Sequence, residues 1–314
     1  MNDGNSLEYI DYESDDMEDN RYMEGHDARL IKLYGDTFLV SYNLSFQSSN
    51  IELKEANCEK GCILIMTRTI NINKNGKLEL GERNIFCPEI SNLVEKNWSF
   101  FKYKDNYFFS YGLTPKHVIY NMMLSLDAAF CEIEYKEDKN GYYGNYEKEN
   151  KVKISVSTPS IQSMENKERY IAVGHVKYEN KEEVRQIEGP LKDFLKNKEK
   201  NYKRHYNYDY LMFIYEFDPE NGEITRISDM FIPENSEYLL VFPTGLIYIE
   251  DELWILYGDH DSKCKAMIIK QNIVTKLLKN PRDENSLHLD EINDFIFPTK
   301  CYKKSDMCIL LNLF

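Results

Sequence analysis

The sequence predicts an all-β protein, a five-bladed β-propeller of four-stranded blades with long polar loop insertions, on three observations. Four segments of the 314-residue chain share one pattern: a polar head, a short apolar strand, a turn and an aromatic strand. Each is followed by a second strand-rich stretch, so the repeating unit holds about four strands over roughly 60 to 85 residues. Aromatic residues make up 13% of the chain, with 24 Tyr and 16 Phe, which favours strands, where rings pack across a pleated face. A β-sandwich is the other architecture that short alternating strands allow.

The first unit opens with "DARLIKLYGDTFLVSYN" from Asp27, turning at "YGD", and continues with "CILIMTRTININKNGKLELG", which carries an Asn75-Gly76 turn. The second opens with "NWSFFKYKDNYFFSYGL" from Asn97, turning at "KDN", and continues with "HVIYNMMLSLDAAFCEIEY". The third, "TPSIQSMENKERYIAVGH" from Thr158, turns at "MENKE"; its second half, "YDYLMFIYEFDPENGEITRIS", holds an Asn221-Gly222 turn. The fourth, "FPTGLIYIEDELWILYGDHD" from Phe242, turns at "IEDE" and leads into "KAMIIKQNIVTKLLK". The C-terminal "FIFPTKCYKKSDMCILLNLF" reads as two more strands, which would close a fifth blade with material from the N-terminal side.

Two segments interrupt the pattern, "KEDKNGYYGNYEKENK" (Lys136 to Lys151) and the stretch from Asn180 to Asn207. Both are rich in Lys, Glu and Asn and read as long loops, the second with a short helix around "GPLKDFLKNK". The run "KNYKRHYNYDY", Lys200 to Tyr210, interleaves basic residues with tyrosine, as single-strand binders do, although a solvated loop is the simpler reading.

Residues 1–24 hold nine acids against Arg21 alone and read as a flexible acidic segment, leaving 25–314 as one propeller domain. The net charge is −14, of which that segment carries −8. An acidic chain repels phosphate backbones and anionic lipid, so neither nucleic acid nor membrane is the expected partner. No apolar run approaches the roughly 18 to 20 residues that span a bilayer, and no basic-then-apolar secretion signal opens the chain, so a cytoplasmic location is expected. Seven cysteines include one Cys58-x3-Cys62 pair and no second pair to complete a zinc site, and they read as reduced thiols.

In a propeller the first strand of every blade lines the channel, so functional groups should gather at the four strand heads: Asp27 with Arg29, Glu95 to Asn97, Ser157 with Thr158, and Thr244. His117, His175 and the Asp259-His260-Asp261 cluster follow the hairpins and would reach the same mouth. Taken alone, Asp27 with Arg29 is more readily an ion pair bracing a strand end, and His175 a satisfied core histidine. Three consecutive residues in "DHD" make a turn rather than a metal site, and Trp98 and Trp254 are expected to pack between blades. No Gly-x-Ser-x-Gly elbow, phosphate-binding Gly-rich loop, dinucleotide fingerprint or His-Glu-x-x-His is present.

The ordered set of motifs resembles the inverting β-mannoside phosphorylases and the related β-1,2-mannosyltransferases, five-bladed propellers. Their "EDPR" motif, which heads a strand–turn–strand unit, is similar to "HDAR", with His26 in place of Glu and Ala28 in place of Pro. "EKNWSFF" looks like their "R-N-x-x-x-F", "STPSI" with "YIAVGHV" like "G-x-P-P-I" with "W-L-x-x-Y-H", and the segment ending at Asp261 like "V-F-x-x-G" with "Y-Y-G-A-A-D". Where the family keeps a second arginine before a proline, this chain has Thr114-Pro115. The resemblance implies a glycoside phosphorylase or mannosyltransferase acting on a mannoside or related sugar. Asp27 would be the general acid, working through a sugar hydroxyl while phosphate attacks the anomeric carbon. Arg29 would bind sugar oxygens, Lys96, Asn97 and His175 would hold an anion, and Asp261 would complete the site. No metal or cofactor is implied, only inorganic phosphate or a sugar phosphate as co-substrate. The alternative is a propeller without catalysis that serves as a glycan-binding or protein-interaction platform.

Overall fold

The computed structural model describes residues 26–46, 62–75, 77–81, 84–86, 97–114, 116–124, 129–137, 152–179, 208–233, 236, 238–260, 263–280 and 299–301. They form four antiparallel sheets, each a meander of four strands. Sheet I comprises β1 (His26–Tyr34), β2 (Thr37–Phe46), β3 (Cys62–Ile72) and β4 (Leu78–Leu80), with β5 (Asn84–Ile85) also on β3. Sheet II comprises β6 (Ser99–Tyr103), β7 (Asn106–Gly112), β8 (Val118–Leu124) and β9 (Ala129–Glu137).

Sheet III runs β10 (Val152–Val156), β12 (Tyr170–Glu179), β13 (Tyr208–Phe217) and β14 (Ile224–Ile227), and β11 (Ile161–Gln162) continues the inner edge beside β12. Sheet IV comprises β15 (Val241–Ile249), β16 (Glu252–Asp259), β17 (Lys263–Lys270) and β18 (Thr299–Cys301), with helix α1 (Gln271–Leu277) after β17. The hairpin turns fall where the sequence placed them, at Gly35, Lys104 and Glu250, each in the left-handed conformation that such a tight reversal uses.

Strand alternation distributes the core. On β13, Leu211, Phe213, Tyr215 and Phe217 face sheet II, while Met212 and Ile214 face sheet IV. A strand buried on both faces reads as the near-continuous apolar run "LMFIYEF". Gly174 on β12 is fixed by packing, because a Cβ there would lie 2.4 Å from Phe213 Cζ and 2.9 Å from the Ser155 carbonyl oxygen. Sheets I and II share Leu33, Leu39, Ile65 and Phe86 against Trp98 and Phe109, whose rings stack at 4.8 Å. Trp98 is thus an inter-sheet residue, as expected.

Each sheet touches two others. β1 lies against β6 and β15, β7 against β10, and β12 and β13 against β15, so the sheets follow one another as I, II, III, IV and back to I. This is a propeller-like arrangement with four sheets among the described residues, where five blades were expected. Of the C-terminal material expected to close a fifth blade, the described strand pairs in sheet IV. Past Lys270 the chain turns into α1 instead of a fourth strand, so the outer position of sheet IV is open and Thr299–Cys301 fills it, pairing Cys301 with Lys265 and Thr299 with Met267.

No helix among the described residues is long and apolar enough to cross a membrane. The expected helix around Gly189 to Lys198 and the acidic segment 1–24 lie outside the described residues.

Candidate functional site

The site begins with an irregularity at the head of β1. His26 pairs with Asn43 and Arg29 with Ser41, so β1 spends one residue more than β2 over this stretch, a bulge. Asp27 takes up the excess with φ of 57°, a left-handed conformation costly for a residue with a Cβ. Its carboxylate is half-buried, and Oδ2 accepts a hydrogen bond from Asn43 Nδ2 at 2.8 Å. Asn43 is fully buried, and its Oδ1 has no hydrogen-bond partner among the described residues.

Arg29, 4% exposed, ties this strand head to the other sheets. Nη1 donates to the Asp27 main-chain carbonyl at 2.8 Å, Nη2 donates to Asn97 Oδ1 at 3.3 Å ahead of β6, and Nε donates to the Ser157 carbonyl of sheet III. The guanidinium also lies 5.9 Å from the ring centre of Phe242 on β15. One side chain therefore contacts all four sheets. Burial lowers its pKa to about 10, and the Asp27 charge works against that fall. Asn97, like Asp27, is left-handed, with φ of 65°.

The inner edge of sheet III contributes through a second irregularity. Val156 pairs with Gly174 and Ile161 with Ile171, so the stretch 157–160 bulges away from β12. This turns the Ser157 carbonyl toward Arg29 and places Ser157 Oγ 2.5 Å from His175 Nδ1. Thr158 stays with its own sheet, its Oγ1 accepting from Val173 N at 3.0 Å, while its carbonyl accepts from Ser99 Oγ of sheet II. His175 is buried, its ring 5.0 Å from Phe242 and 5.3 Å from Tyr210.

The structure brings Asp27, Arg29, Asn97 and Ser157 together directly, and His175 through Ser157. Thr244 sits at a bulge in β15 with its hydroxyl 3.4 Å from the Leu256 carbonyl, and Phe242 is the sheet IV residue that reaches the cluster. Lys96 and Asp261 lie outside the described residues. Of the neighbours of Asp261, Asp259 is buried in an ion pair with Lys265 and accepts from Ser236 Oγ at 2.7 Å, while His260 stacks on Tyr238 at 3.7 Å.

His117 belongs elsewhere. Its Nε2 lies 2.9 Å from Ser110 Oγ and its Nδ1 2.9 Å from the Gly222 carbonyl, with the Phe217 ring 4.8 Å away, so it packs between sheets II and III. Sequence reasoning missed Asn43 and Phe242 as members of the site. Asn43 carried a signal in retrospect: it is the amide on β2 that lies directly across the hairpin from the polar head. No group of three His, Cys, Asp or Glu side chains among the described residues is placed to hold a metal ion.

Chemically, the arrangement offers one half-buried carboxylate whose main chain is held by Arg29 and one of whose oxygens is held by Asn43. Arg29 bonds the Asp27 carbonyl rather than its carboxylate, so Asp27 is not consumed in the bidentate ion pair that would brace a strand end.

No protein-family model matches the chain, and no curated protein does. Solved structures are similar in chain path. A GDP-Man-dependent mannosyltransferase from Leishmania mexicana covers 78% of this chain and 68% of its own at 12% identity, with a TM-score of 0.43. A β-1,2-mannobiose phosphorylase from Listeria innocua covers 82% and 92% at 10% identity, with a TM-score of 0.37. A glycosyl hydrolase from Bacteroides ovatus covers 79% and 85% at 14% identity, with a TM-score of 0.37. Mannosyltransferase and β-mannoside phosphorylase are the kinds of protein that the ordered motifs resemble. At these identities and TM-scores the likeness bears on neither substrate nor reaction.

Proposed function

We propose that the protein is a carbohydrate-active propeller that transfers a mannosyl or related glycosyl group, by phosphorolysis or from a sugar phosphate or nucleotide sugar, with Asp27 as general acid. One observation carries this reading: Asp27 is held in a set posture at the head of β1, its main chain by Arg29 and one carboxylate oxygen by the buried Asn43. Two non-glycine residues at strand heads, Asp27 and Asn97, are left-handed, and a buried amide oxygen of Asn43 has no hydrogen-bond partner among the described residues. Backbone strain of this kind costs about 1 to 3 kcal/mol per residue and gathers at functional sites. An unsatisfied buried acceptor adds about 1 to 3 kcal/mol. What these expenditures hold in place is one carboxylate, at the point where four sheets meet.

In this reading Asp27 delivers its proton to the departing glycosidic oxygen in phosphorolysis, directly or through a sugar hydroxyl, while phosphate attacks the opposite face; in transfer from a sugar phosphate or nucleotide sugar the same group, ionised, takes the proton of the attacking acceptor hydroxyl as the phosphate leaves, so a single protein carboxyl is enough. Arg29 fixes the backbone that carries Asp27, and Asn43 fixes the carboxylate. The role of sugar-oxygen ligand that the resemblance gave to Arg29 passes to other groups, because the Arg29 guanidinium is buried and bonded to protein. The same observation favours the second reading, a platform that binds glycans without turning them over.

The two readings part in one assay. The protein is incubated with mannose 1-phosphate or GDP-mannose and a panel of sugar acceptors, and wild type is compared with Asp27→Asn. The catalytic reading expects transfer by wild type and a loss of about 100-fold or more in the variant. Binding without turnover supports the platform, and turnover that survives the substitution removes Asp27 from the reaction.

A further inference from the structure

The proposed reaction does not use the run from Lys200 to Tyr210, in which basic residues alternate with tyrosine. Its two described tyrosines open β13. Tyr208 and Tyr210 share one face of the strand, because successive side chains alternate, and Tyr210 pairs with Lys177 of β12. On that same face His175 precedes Lys177 by two residues, about 7 Å along the strand. His175 is the residue bonded to Ser157 in the cluster around Arg29.

A continuous path of rings joins that cluster to a cation. The Phe242 ring, under Arg29, lies 6.4 Å from Tyr210, and Tyr210 lies 6.3 Å from Tyr208. Lys177 Nζ stands 3.4 Å from the centre of the Tyr208 ring and 6.0 Å from that of Tyr210. Phe242, Tyr210, Tyr208 and Lys177 are all half-buried, while Asp209, between the two tyrosines and on the other face, is fully buried.

Two considerations select an occupant. Aromatic faces beside a glycosyl-transfer carboxylate suit the apolar C–H face of a sugar ring, since Tyr and Phe offer large contact area with little rotamer freedom to lose. The cation placed to meet a negative group on that ring is Lys177, whose ammonium stands at the far end of the same wall. We infer that the Phe242–Tyr210–Lys177 wall binds a sugar ring carrying an anionic substituent, phosphate or carboxylate, with the ring against Phe242 and Tyr210 and the anion on Lys177. The inference rests on the carbohydrate reading above and adds the class of sugar and the place where its charge is read. A nucleic-acid strand would use the same chemistry, but the net charge of −14 opposes a polyanion far more than a single charged sugar.

Calorimetric titration of the full chain with mannose 6-phosphate, methyl glucuronide, methyl mannoside and an oligothymidylate tests it, using wild type, Lys177→Gln and Tyr210→Leu, each shown to be folded by its thermal melt. Wild type is expected to bind at least one of the two anionic sugars about tenfold more tightly than methyl mannoside, and whichever binds identifies the charged group. Lys177→Gln should bring that preference to about one, and Tyr210→Leu should weaken the anionic sugar about tenfold. An unchanged preference in Lys177→Gln overturns the inference, and so does tighter binding of the oligothymidylate. If methyl mannoside binds and the anionic sugars bind no better, this inference alone falls. If no sugar binds, the carbohydrate reading falls with it. None of these readouts needs turnover, so a failure of Asp27 as general acid is told apart from both.

Discussion

Arg29 does the work of several residues. Its guanidinium satisfies the Asp27 and Ser157 carbonyls and the Asn97 amide oxygen, each on a different stretch of chain, and the Asp27 and Asn97 backbones are both left-handed. Its planar fork reaches three acceptors at once, which a lysine ammonium on a flexible stem does not reproduce. Replacing Arg29 by Met leaves those acceptors buried without their donor. The expected loss is about 3 to 5 kcal/mol, read from urea denaturation midpoints, and Arg29→Lys should recover only a minor part of it. A crystal structure of Arg29→Met should also show Asp27 leaving the left-handed region. If Asp27 keeps its conformation there, the strain has another origin.

At the scale of elements, the contact between sheets II and III carries a titratable group in its core. His117 hangs between Ser110 of β7 and the Gly222 carbonyl in the β13–β14 turn, edge-on to Phe217. Burial holds its pKa down at about 4, partly offset by the Gly222 carbonyl. The unfolded chain takes up a proton near the ordinary histidine value of about 6.5, whereas the folded chain does so only near 4. Between those values the unfolded state binds more protons, so stability falls as the pH drops from about 6.5 to about 4, by up to about 3 kcal/mol. Denaturant unfolding at pH 7 and pH 4.5 should show that loss in wild type and lack most of it in His117→Gln. Hairpin turns of the same sheets meet through charge, with Glu220 accepting from Tyr103 and Lys104 at 2.7 Å each, an exposed contact worth little by comparison.

Across the whole molecule, protection is unequal. β12 and β13 stand between sheets II and IV and hold a run of fully buried side chains from Leu211 to Tyr215, whereas β4 exposes all three of its residues. Hydrogen exchange should therefore be slowest in β12 and β13 and fastest in β4, with β1 protected at Arg29 despite its position at a sheet's inner edge. Exchange in β13 as fast as in β4 would contradict the packing described here. The order I, II, III, IV and back to I makes each sheet dependent on two neighbours, so loosening the Arg29 contacts should speed exchange at the heads of β1 and β15 together.

The sequence by itself determined the local structure: four units, their hairpin turns, and the strand heads as the place to look for function. These depend on residue type and spacing over a few positions, and a period-2 pattern or a Gly-Asp turn is legible wherever it occurs. The tertiary structure alone decided the number of sheets described, because α1 broke the fourth repeat and a strand from Thr299 to Cys301, distant in sequence, took the vacant edge. It also decided the roles within the polar cluster. Whether an arginine at a strand head binds a ligand or clamps the chain depends on what surrounds its guanidinium, and here that is the Ser157 carbonyl, 128 residues away in sequence. Asn43 and Phe242 entered the site for the same reason: their partners are fixed by sheet pairing and by the meeting of sheets, which no short stretch of sequence contains.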